Sequence, residues 1–249
     1  MNSLLKSREL RAQAKDQLLG NYATAVGSFA LLFAFQYLIM ALSEGGLINL
    51  LPDMKNVSDV AFILITDVLG GITGAIINLF VVGFIYVLRC ISYGGKPNRG
   101  DMFFAFRHHP DKVIILYFIS YVIQMILLLP VDIISTRMTN LRTAPLQQIG
   151  ALSIAGIVGS IIYLIYVIAA SQSYLLYLED PESDVKSYLF GSFAMMKGFK
   201  WRYFCLICSF FGYILLIVLS LGIAALWIMP IVEMAGINFY RMIKGDRQE

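Results

Sequence analysis

The sequence has few charged residues: Asp, Glu, Lys and Arg make up 14% of its 249 residues, whereas hydrophobic residues make up 59%. A water-soluble globular domain carries about 25% charged residues, so this composition excludes that class. The net charge is +3, but the sequence contains no soluble domain that could present a basic surface. We therefore expect no nucleic-acid partner. The composition predicts a polytopic membrane protein whose surroundings are the lipid bilayer.

Histidine and cysteine are also scarce, with two and three residues. His108 and His109 are adjacent, so on a helix their side chains would point about 100 degrees apart, unlike the zinc-binding face of an H-E-x-x-H motif. Cys205 and Cys208 form a C-x-x-C pair without nearby histidines, which is a weak metal signal. No G-x-S-x-G elbow or phosphate-binding glycine loop occurs. We therefore expect no metal, no cofactor and no enzymatic activity; an intramembrane enzyme built from scattered polar residues is the alternative.

Long hydrophobic runs are abundant. A helix needs about 20 apolar residues to cross the roughly 30 Å hydrocarbon layer of a bilayer. The runs predict an all-α transmembrane bundle, formed by residues 1–249 as a single integral membrane domain, with about six spans at about 22–42, 60–88, 113–134, 151–176, 203–220 and 223–242. The last two spans are divided at Leu221-Gly222, because glycine there tolerates a reversal of the chain. One long tilted helix, giving five spans in all, is the alternative.

A segment that mixes polar, cationic and apolar residues precedes each odd-numbered span: residues 1–20, then NRGDMFFAFRHHPDK, then DVKSYLFGSFAMMKGFKWR. We predict that each is an amphipathic helix lying on the membrane surface, so that the chain consists of three such helices, each followed by a transmembrane hairpin. Internal symmetry of this kind is common in transporters, but duplication of any hairpin would also produce it. The aromatic residues predicted at the interface are Phe103, Phe104, Phe106, Phe190, Phe193 and Trp201.

Basic residues indicate the orientation. Of the 19 Lys and Arg residues, 16 lie in the two termini or in the connections 89–112 and 177–202, which are predicted on the same side of the membrane as the termini. The other three are Lys55, Arg137 and Arg142. By the positive-inside rule, both termini are predicted to be cytoplasmic.

Small residues recur at four-residue spacing within two of the spans. Such faces let two helices approach closely in a membrane, and we expect spans two and four to be internal. The helix-packing residues are Gly70, Gly74, Ala155, Gly156, Gly159 and Ser160.

Four polar residues are predicted to form a layer near the membrane midplane: Gln36, Asn78, Gln124 and Glu233. At about 1.5 Å per residue, all four lie roughly 15 to 21 Å from the inner boundary of the membrane. Pro230 precedes Glu233 by three residues and would kink the helix, leaving a carbonyl group free. The layer has two interpretations: hydrogen bonds that hold helices together, or a permeation or ligand site. On the inner side, the run YLEDPESD is either a solvated turn or a cation site.

The elements RAQAKDQLLGNY, MFFAFRH and LGIAALWIMPIVEMAGINFYRMI resemble a family of bacterial integral membrane proteins, mainly of Gram-positive bacteria, known as domain of unknown function 975. The resemblance covers essentially the whole chain. It implies a multi-pass protein of the bacterial cytoplasmic membrane, with no established activity and no catalytic residues to transfer.

Two functional classes fit these observations. The first is a permease-like or transport-associated protein that uses the polar layer around Glu233. The second is a non-transporting adaptor or lipid-interacting protein that acts through the amphipathic helices. Because the sequence has no nucleotide-binding segment, active transport would require a partner ATPase subunit. The glycine faces also allow a homo-oligomer.

Overall fold

The computed structural model of the protein describes residues 6–42, 59–137 and 146–245. Within these ranges the chain forms helices and turns without a strand, which confirms the predicted all-α class. A 3₁₀ helix (Arg99–Phe103) leads directly into the fourth α-helix. The α-helices are α1 (Ser7–Leu18), α2 (Tyr22–Leu42), α3 (Asp59–Ser92), α4 (Phe104–Arg107), α5 (Pro110–Arg137), α6 (Leu146–Ala170), α7 (Ser173–Glu179), α8 (Val185–Met195), α9 (Lys200–Cys208), α10 (Phe211–Leu219) and α11 (Ala225–Lys244).

Five helical stretches in the described ranges are long and apolar enough to cross a membrane, which supports a multi-pass membrane protein. They are Tyr22–Ala41, Asp67–Ser92, Pro110–Leu129, Leu152–Glu179 and Lys200–Leu219. Helix α11, which covers the predicted sixth span, is not among them. The number of six spans and their arrangement as three hairpins therefore stay predictions.

The last apolar run is divided where a turn is predicted. Helix α10 ends at Leu219 and α11 begins at Ala225. Between them Leu221 and Gly222 adopt φ angles of 52° and 91°, in the left-handed region that glycine enters without a steric penalty. The N–H of Gly222 donates to the carbonyl oxygen of Ile217 at 2.8 Å and closes the turn. This run is thus not the single long helix of the alternative. It also has a second break that the sequence did not predict, at residues 209–210, which divides the predicted fifth span into α9 and α10.

Helix α3 forms the centre of the bundle. Its 34 residues extend over about 51 Å, which exceeds the roughly 30 Å thickness of the hydrocarbon layer. It packs against α2, α5, α11 and the 3₁₀–α4 segment. Because α3 is longer than the hydrocarbon layer is thick, it offers apolar surface to several other helices along its length.

The glycine face of α3 packs against tyrosines of α5. A Cβ atom on Gly74 would lie 1.9 Å from the hydroxyl oxygen of Tyr117, whereas one on Gly70 would lie 3.5 Å from that of Tyr121. The absent side chains thus make room for the two tyrosine rings. The Tyr121 hydroxyl donates to the backbone oxygen of Asp67 at 2.7 Å, which ties the two helices together.

The glycine face of α6 also packs against α5. A Cβ atom on Gly159 would lie 2.7 Å from the carbonyl oxygen of Leu127, whereas Gly156 has more room, with Val131 at 3.7 Å. Ala155 is partly buried and Ser160 is exposed. The expectation that span four is internal is wrong, because α6 packs mainly against α5, with smaller contacts to α8 and α9, and exposes much of its remaining surface. Its exposed residues include Ile154, Ile157, Val158, Ile161 and Ile165.

Helix α1, the 3₁₀–α4 segment, α7 and α8 pack on one end of the bundle, which we call the inner end. Leu10, Ala14 and Leu18 of α1 are buried, and α1 packs mainly against α11. Met102 and Ala105 are buried where the 3₁₀–α4 segment packs on α3. The predicted amphipathic segments thus turn apolar side chains toward protein, because α3 and α11 provide a surface on which they pack.

The aromatic residues of the second amphipathic segment follow the same pattern. The Phe103 and Phe106 rings pack against Phe80 of α3, with centroid distances of 5.9 and 4.9 Å. The Phe104 ring stacks on Tyr86 of α3 at 4.0 Å. Phe106 remains the most exposed of the three, at 38%.

In the third segment, Phe190 and Trp201 are 64% and 73% exposed, as expected of side chains that face lipid or headgroups. Phe193 is partly buried and makes an edge contact with Tyr166 of α6.

Candidate functional site

Glu233 lines a small cavity that four helices enclose. Its wall is formed by Ile85 of α3, the junction between α6 and α7, Tyr203 of α9, and α11 itself. The lining residues are Ile85, Ser171, Gln172, Tyr174, Leu175, Tyr203, Glu233, Gly236 and Ile237. The cavity has a volume of about 30 Å³, enough for a water-sized guest and far less than the roughly 300 Å³ of a small-molecule site.

The cavity is polar on one side. The Tyr203 hydroxyl lies near Glu233 and within hydrogen-bonding reach of Ser171. The Gln172 side-chain amide donates to the Ser171 hydroxyl at 2.7 Å, while the Gln172 side-chain oxygen is buried and has no hydrogen-bond partner in the described structure. No Lys or Arg lines the cavity. Among the described residues, the cavity therefore offers Glu233 neutral hydrogen-bonding groups and no counter-ion. This environment is expected for a protonated, uncharged acid or for a carboxylate that binds water.

The other members of the predicted polar layer do not line this cavity. Gln36 is exposed on α2, and Gln124 is partly buried on α5. Asn78 is partly buried beside the hydroxyl of Tyr174, and its side-chain oxygen has no partner among the described residues. Tyr174 thus connects Asn78 with the Glu233 cavity, whereas Gln36 and Gln124 stand apart from it.

Residues that the sequence reasoning missed form most of the polar wall. Ser171, Gln172 and Tyr174 belong to the run SQSY, near the inner end of the predicted fourth span. This polar run was the available signal: α6 ends at Ala170 and α7 begins at Ser173. The interruption is fixed by Ser192 of α8, whose hydroxyl donates to the Ala169 carbonyl at 2.7 Å and accepts from the Gln172 N–H at 3.1 Å.

The depth of the cavity follows from the register of α3 and α5. Tyr117 meets α3 at Gly74, so in these antiparallel helices the cationic start of α5, at Lys112, lies level with about residue 79 of α3. Ile85 in the cavity wall lies about 9 Å farther toward the inner end. Glu233 lines the same cavity and therefore lies toward the inner end of the bundle, whereas its predicted position near the membrane midplane stays a prediction.

Pro230 is buried in the second turn of α11. Because proline lacks an N–H, the carbonyl of Leu226 loses its helical partner. The cavity around Glu233 begins one turn farther along α11 and does not include Pro230.

A second feature, which we call the α6–α9 groove, faces outward from the bundle. It has a volume of about 310 Å³ and is lined by Ile161, Leu164, Ile165, Ile168, Lys200, Trp201 and Phe204. Lys200 is its single charged residue, and no described residue forms an ion pair with Lys200. The groove thus combines an apolar wall on the membrane side with one cation at its edge.

The acidic turn after α7 is held to the start of α5. Lys112 donates to the carbonyl oxygens of Pro181 and Glu182 at 2.8 and 2.9 Å, and His109 contacts the Glu182 carboxylate at 2.9 Å. The described residues contain no group of three or more His, Cys, Asp or Glu side chains placed to hold a metal ion. These contacts make the turn a connection between inner-end segments.

Asp180 stabilises the turn internally. The Ser183 hydroxyl and the Glu182 N–H donate to its carboxylate, and they hold the pKa of Asp180 below its usual value. Since the folded-state pKa is lowered, this contribution is complete above the usual pKa of an aspartate and is lost as the pH falls through the lowered value.

The fold and these features define an all-α, multi-pass membrane protein with an acid, Glu233, in a small cavity between its helices. The chain matches the family described as a protein of unknown function, DUF975, over residues 1–247. It belongs to this family, which confirms the resemblance carried by its sequence elements. No curated protein and no solved structure matches the chain.

Proposed function

We propose that this protein is a non-enzymatic, lipid-interacting membrane protein that binds an anionic phospholipid of the cytoplasmic leaflet in the α6–α9 groove. The observation that carries the proposal is the groove itself, which presents apolar side chains of α6 and Phe204 beside one cation, Lys200, that forms no ion pair with any described residue. An acyl chain would lie along α6, and the phosphate would bind Lys200.

The size and position of the groove support this ligand. Its volume of about 310 Å³ reaches the lower end of the range for small-molecule sites. Trp201 at its edge is 73% exposed, as is common for a ring at the headgroup level. Lys197, Lys200 and Arg202 place three cations within six residues, and anionic headgroups attract such clusters.

Fluorescence of Trp201 tests the proposal. The chain has two tryptophans, so Trp227→Phe leaves Trp201 as the single reporter. In phosphatidylcholine vesicles, brominated phosphatidylglycerol is expected to quench Trp201 at about one fifth of the mole fraction that brominated phosphatidylcholine requires, because one Lys near an anionic surface contributes about 1 kcal/mol. Lys200→Gln is expected to remove this preference.

Lys197→Gln is the matched control, because Lys197 is an exposed cation three residues away and does not line the groove. It is expected to keep the preference for phosphatidylglycerol. Equal quenching by the two lipids in the Trp227→Phe protein, or equal effects of the two lysine variants, would rule out a specific site at Lys200.

A permease-like function is the second candidate, and the carboxylic acid of Glu233 in its cavity favours it. The cavity volume of about 30 Å³ fits a proton or water and is too small for an organic solute, which is why this candidate ranks second.

A permease-like function requires water to reach the carboxyl group of Glu233. With Cys90, Cys205 and Cys208 replaced by serine, Glu233→Cys is expected to resist a membrane-impermeant thiol reagent from both sides, in intact cells and inverted vesicles. Labelling from either side would favour permeation.

A further inference from the structure

The chain from α10 through the first turns of α11 forms an apolar hairpin. No charged residue occurs between Arg202 and Glu233. The turn that joins the helices is apolar except for Ser220, and Leu221 at its tip is 93% exposed. Other exposed residues of the hairpin are Phe211, Leu215, Val218, Leu219, Ile223 and Trp227. Such a surface requires an apolar environment.

Cations of α1 mark the level at which this hairpin begins. The Arg11 side chain donates to the carbonyl oxygen of Ser209 at 2.7 Å, and its guanidinium lies 5.8 Å from the ring centre of Phe210. The Lys15 ammonium lies 5.4 Å from the ring centre of Tyr213. Helix α1, with the sequence SRELRAQAKDQL, is too polar to lie in hydrocarbon. The junction between α9 and α10 is therefore at the membrane boundary.

The length of the hairpin above this level is short. Of the apolar stretch Lys200–Leu219, only the part after the junction, helix α10, lies above this level. Helix α10 has nine residues, which span about 14 Å, and from Tyr213 to Leu221 the distance is about 12 Å. The hydrocarbon layer is roughly 30 Å thick. An arm of this length reaches no farther than about the middle of the bilayer.

The returning arm leads back to the same boundary. Helix α11 packs against α1, and its buried residues begin at Ile228. Near its end, Arg241 donates to the carbonyl oxygen of Ser92, the last residue of α3, at 2.6 Å. The chain thus enters and leaves the apolar layer at the inner end of the bundle.

We infer that α10, the turn and the start of α11 form a re-entrant hairpin that inserts into the cytoplasmic leaflet and returns without crossing the membrane. The partner of its exposed surface is the acyl-chain region of that leaflet. A re-entrant hairpin returns the chain to the side of the membrane from which it started, and so does a hairpin whose two arms both cross. The two arrangements therefore give the same location for the end of α11. The inference is independent of the α6–α9 groove and places its lipid contact on a different surface.

Spin labels along the hairpin test the inference. In a background without native cysteines, Phe211→Cys, Leu215→Cys, Val218→Cys and Leu221→Cys receive a nitroxide, and depth is measured from relaxation by oxygen against a water-soluble nickel chelate in reconstituted vesicles. These side chains are 53% to 93% exposed, so the label needs little repacking. Depth is expected to increase steadily from Phe211 toward Leu221, by about 15 Å in all.

A crossing hairpin would give the opposite profile, with the greatest depth within the arms and a shallow position at Leu221, and that result would overturn the inference. A Leu221 label with the high nickel accessibility of a water-exposed site would also overturn it. Labels at Ile154, Val158 and Ile162 on α6, which are exposed on a helix long enough to cross, provide the reference profile of a crossing helix.

Discussion

Gly83→Ala is expected to prevent the protein from folding stably, with a loss of more than about 3 kcal/mol in the free energy of unfolding. A Cβ atom at this position would lie 1.9 Å from the carbonyl oxygen of Met102 and 2.7 Å from its carbonyl carbon. Both atoms belong to backbone, so no rotation of a side chain can relieve the overlap. The methyl group would push the 3₁₀–α4 segment away from α3 and separate Phe103 and Phe106 from Phe80.

The yield of monodisperse protein and its melting temperature in detergent measure this effect. Gly27→Ala is the matched control, because Gly27 lies within a helix with no atom near the position of its Cβ, and alanine there is expected to leave stability equal or slightly higher. If Gly83→Ala had the yield and melting temperature of the wild type, the close packing of the 3₁₀–α4 segment on α3 would be refuted.

Arg241→Met is expected to lower the free energy of unfolding by about 2 to 3 kcal/mol. Arg241 is 6% exposed. Its guanidinium donates to the Ser92 carbonyl oxygen at 2.6 Å and lies 4.4 Å from the ring centre of Tyr93. A hydrogen bond from a charged donor contributes about 1.5 to 3 kcal/mol, and a cation–π contact adds to it. Methionine keeps most of the apolar stem and removes both contacts.

Lys244→Met is the matched control for Arg241→Met. Lys244 lies one turn farther along α11 and forms an ion pair with Glu179 at 2.5 Å, but it is an exposed residue. An exposed ion pair contributes about 0 to 1 kcal/mol, so this variant is expected to melt close to the wild type. Equal melting temperatures for the two variants would show that Arg241 does not connect α11 to α3.

Composition and hydrophobic runs were enough to predict the membrane class, the all-α fold and the break at Leu221-Gly222. They did not predict where the amphipathic segments pack. A residue such as Met102 has the same pattern whether its neighbour is lipid or α3, because both surroundings are apolar. The residue that allows the 3₁₀–α4 segment to pack closely on α3 is Gly83 of α3. Nothing in the hydrophobic run around Gly83 indicates which backbone approaches it.

The position of Glu233 illustrates the corresponding limit for the site. Depth was counted from the ends of hydrophobic runs, which assumes that each run crosses the membrane from boundary to boundary. Helix α3 is longer than the bilayer is thick and α10 has only nine residues, so the ends of these runs do not fix the depth of the carboxylate, and its midplane position stays a prediction. Ser171 and Gln172 joined the site because α6 stops at Ala170, and that interruption depends on Ser192 of α8, about 20 residues away in the sequence.

Native mass spectrometry of the detergent-purified protein tests most directly whether one anionic phospholipid occupies the α6–α9 groove. The wild-type protein and Lys197→Gln are expected to retain a single anionic phospholipid, whereas Lys200→Gln is expected to lose it. A wild-type protein without bound lipid, or Lys200→Gln with the same bound lipid as the wild type, would contradict the account.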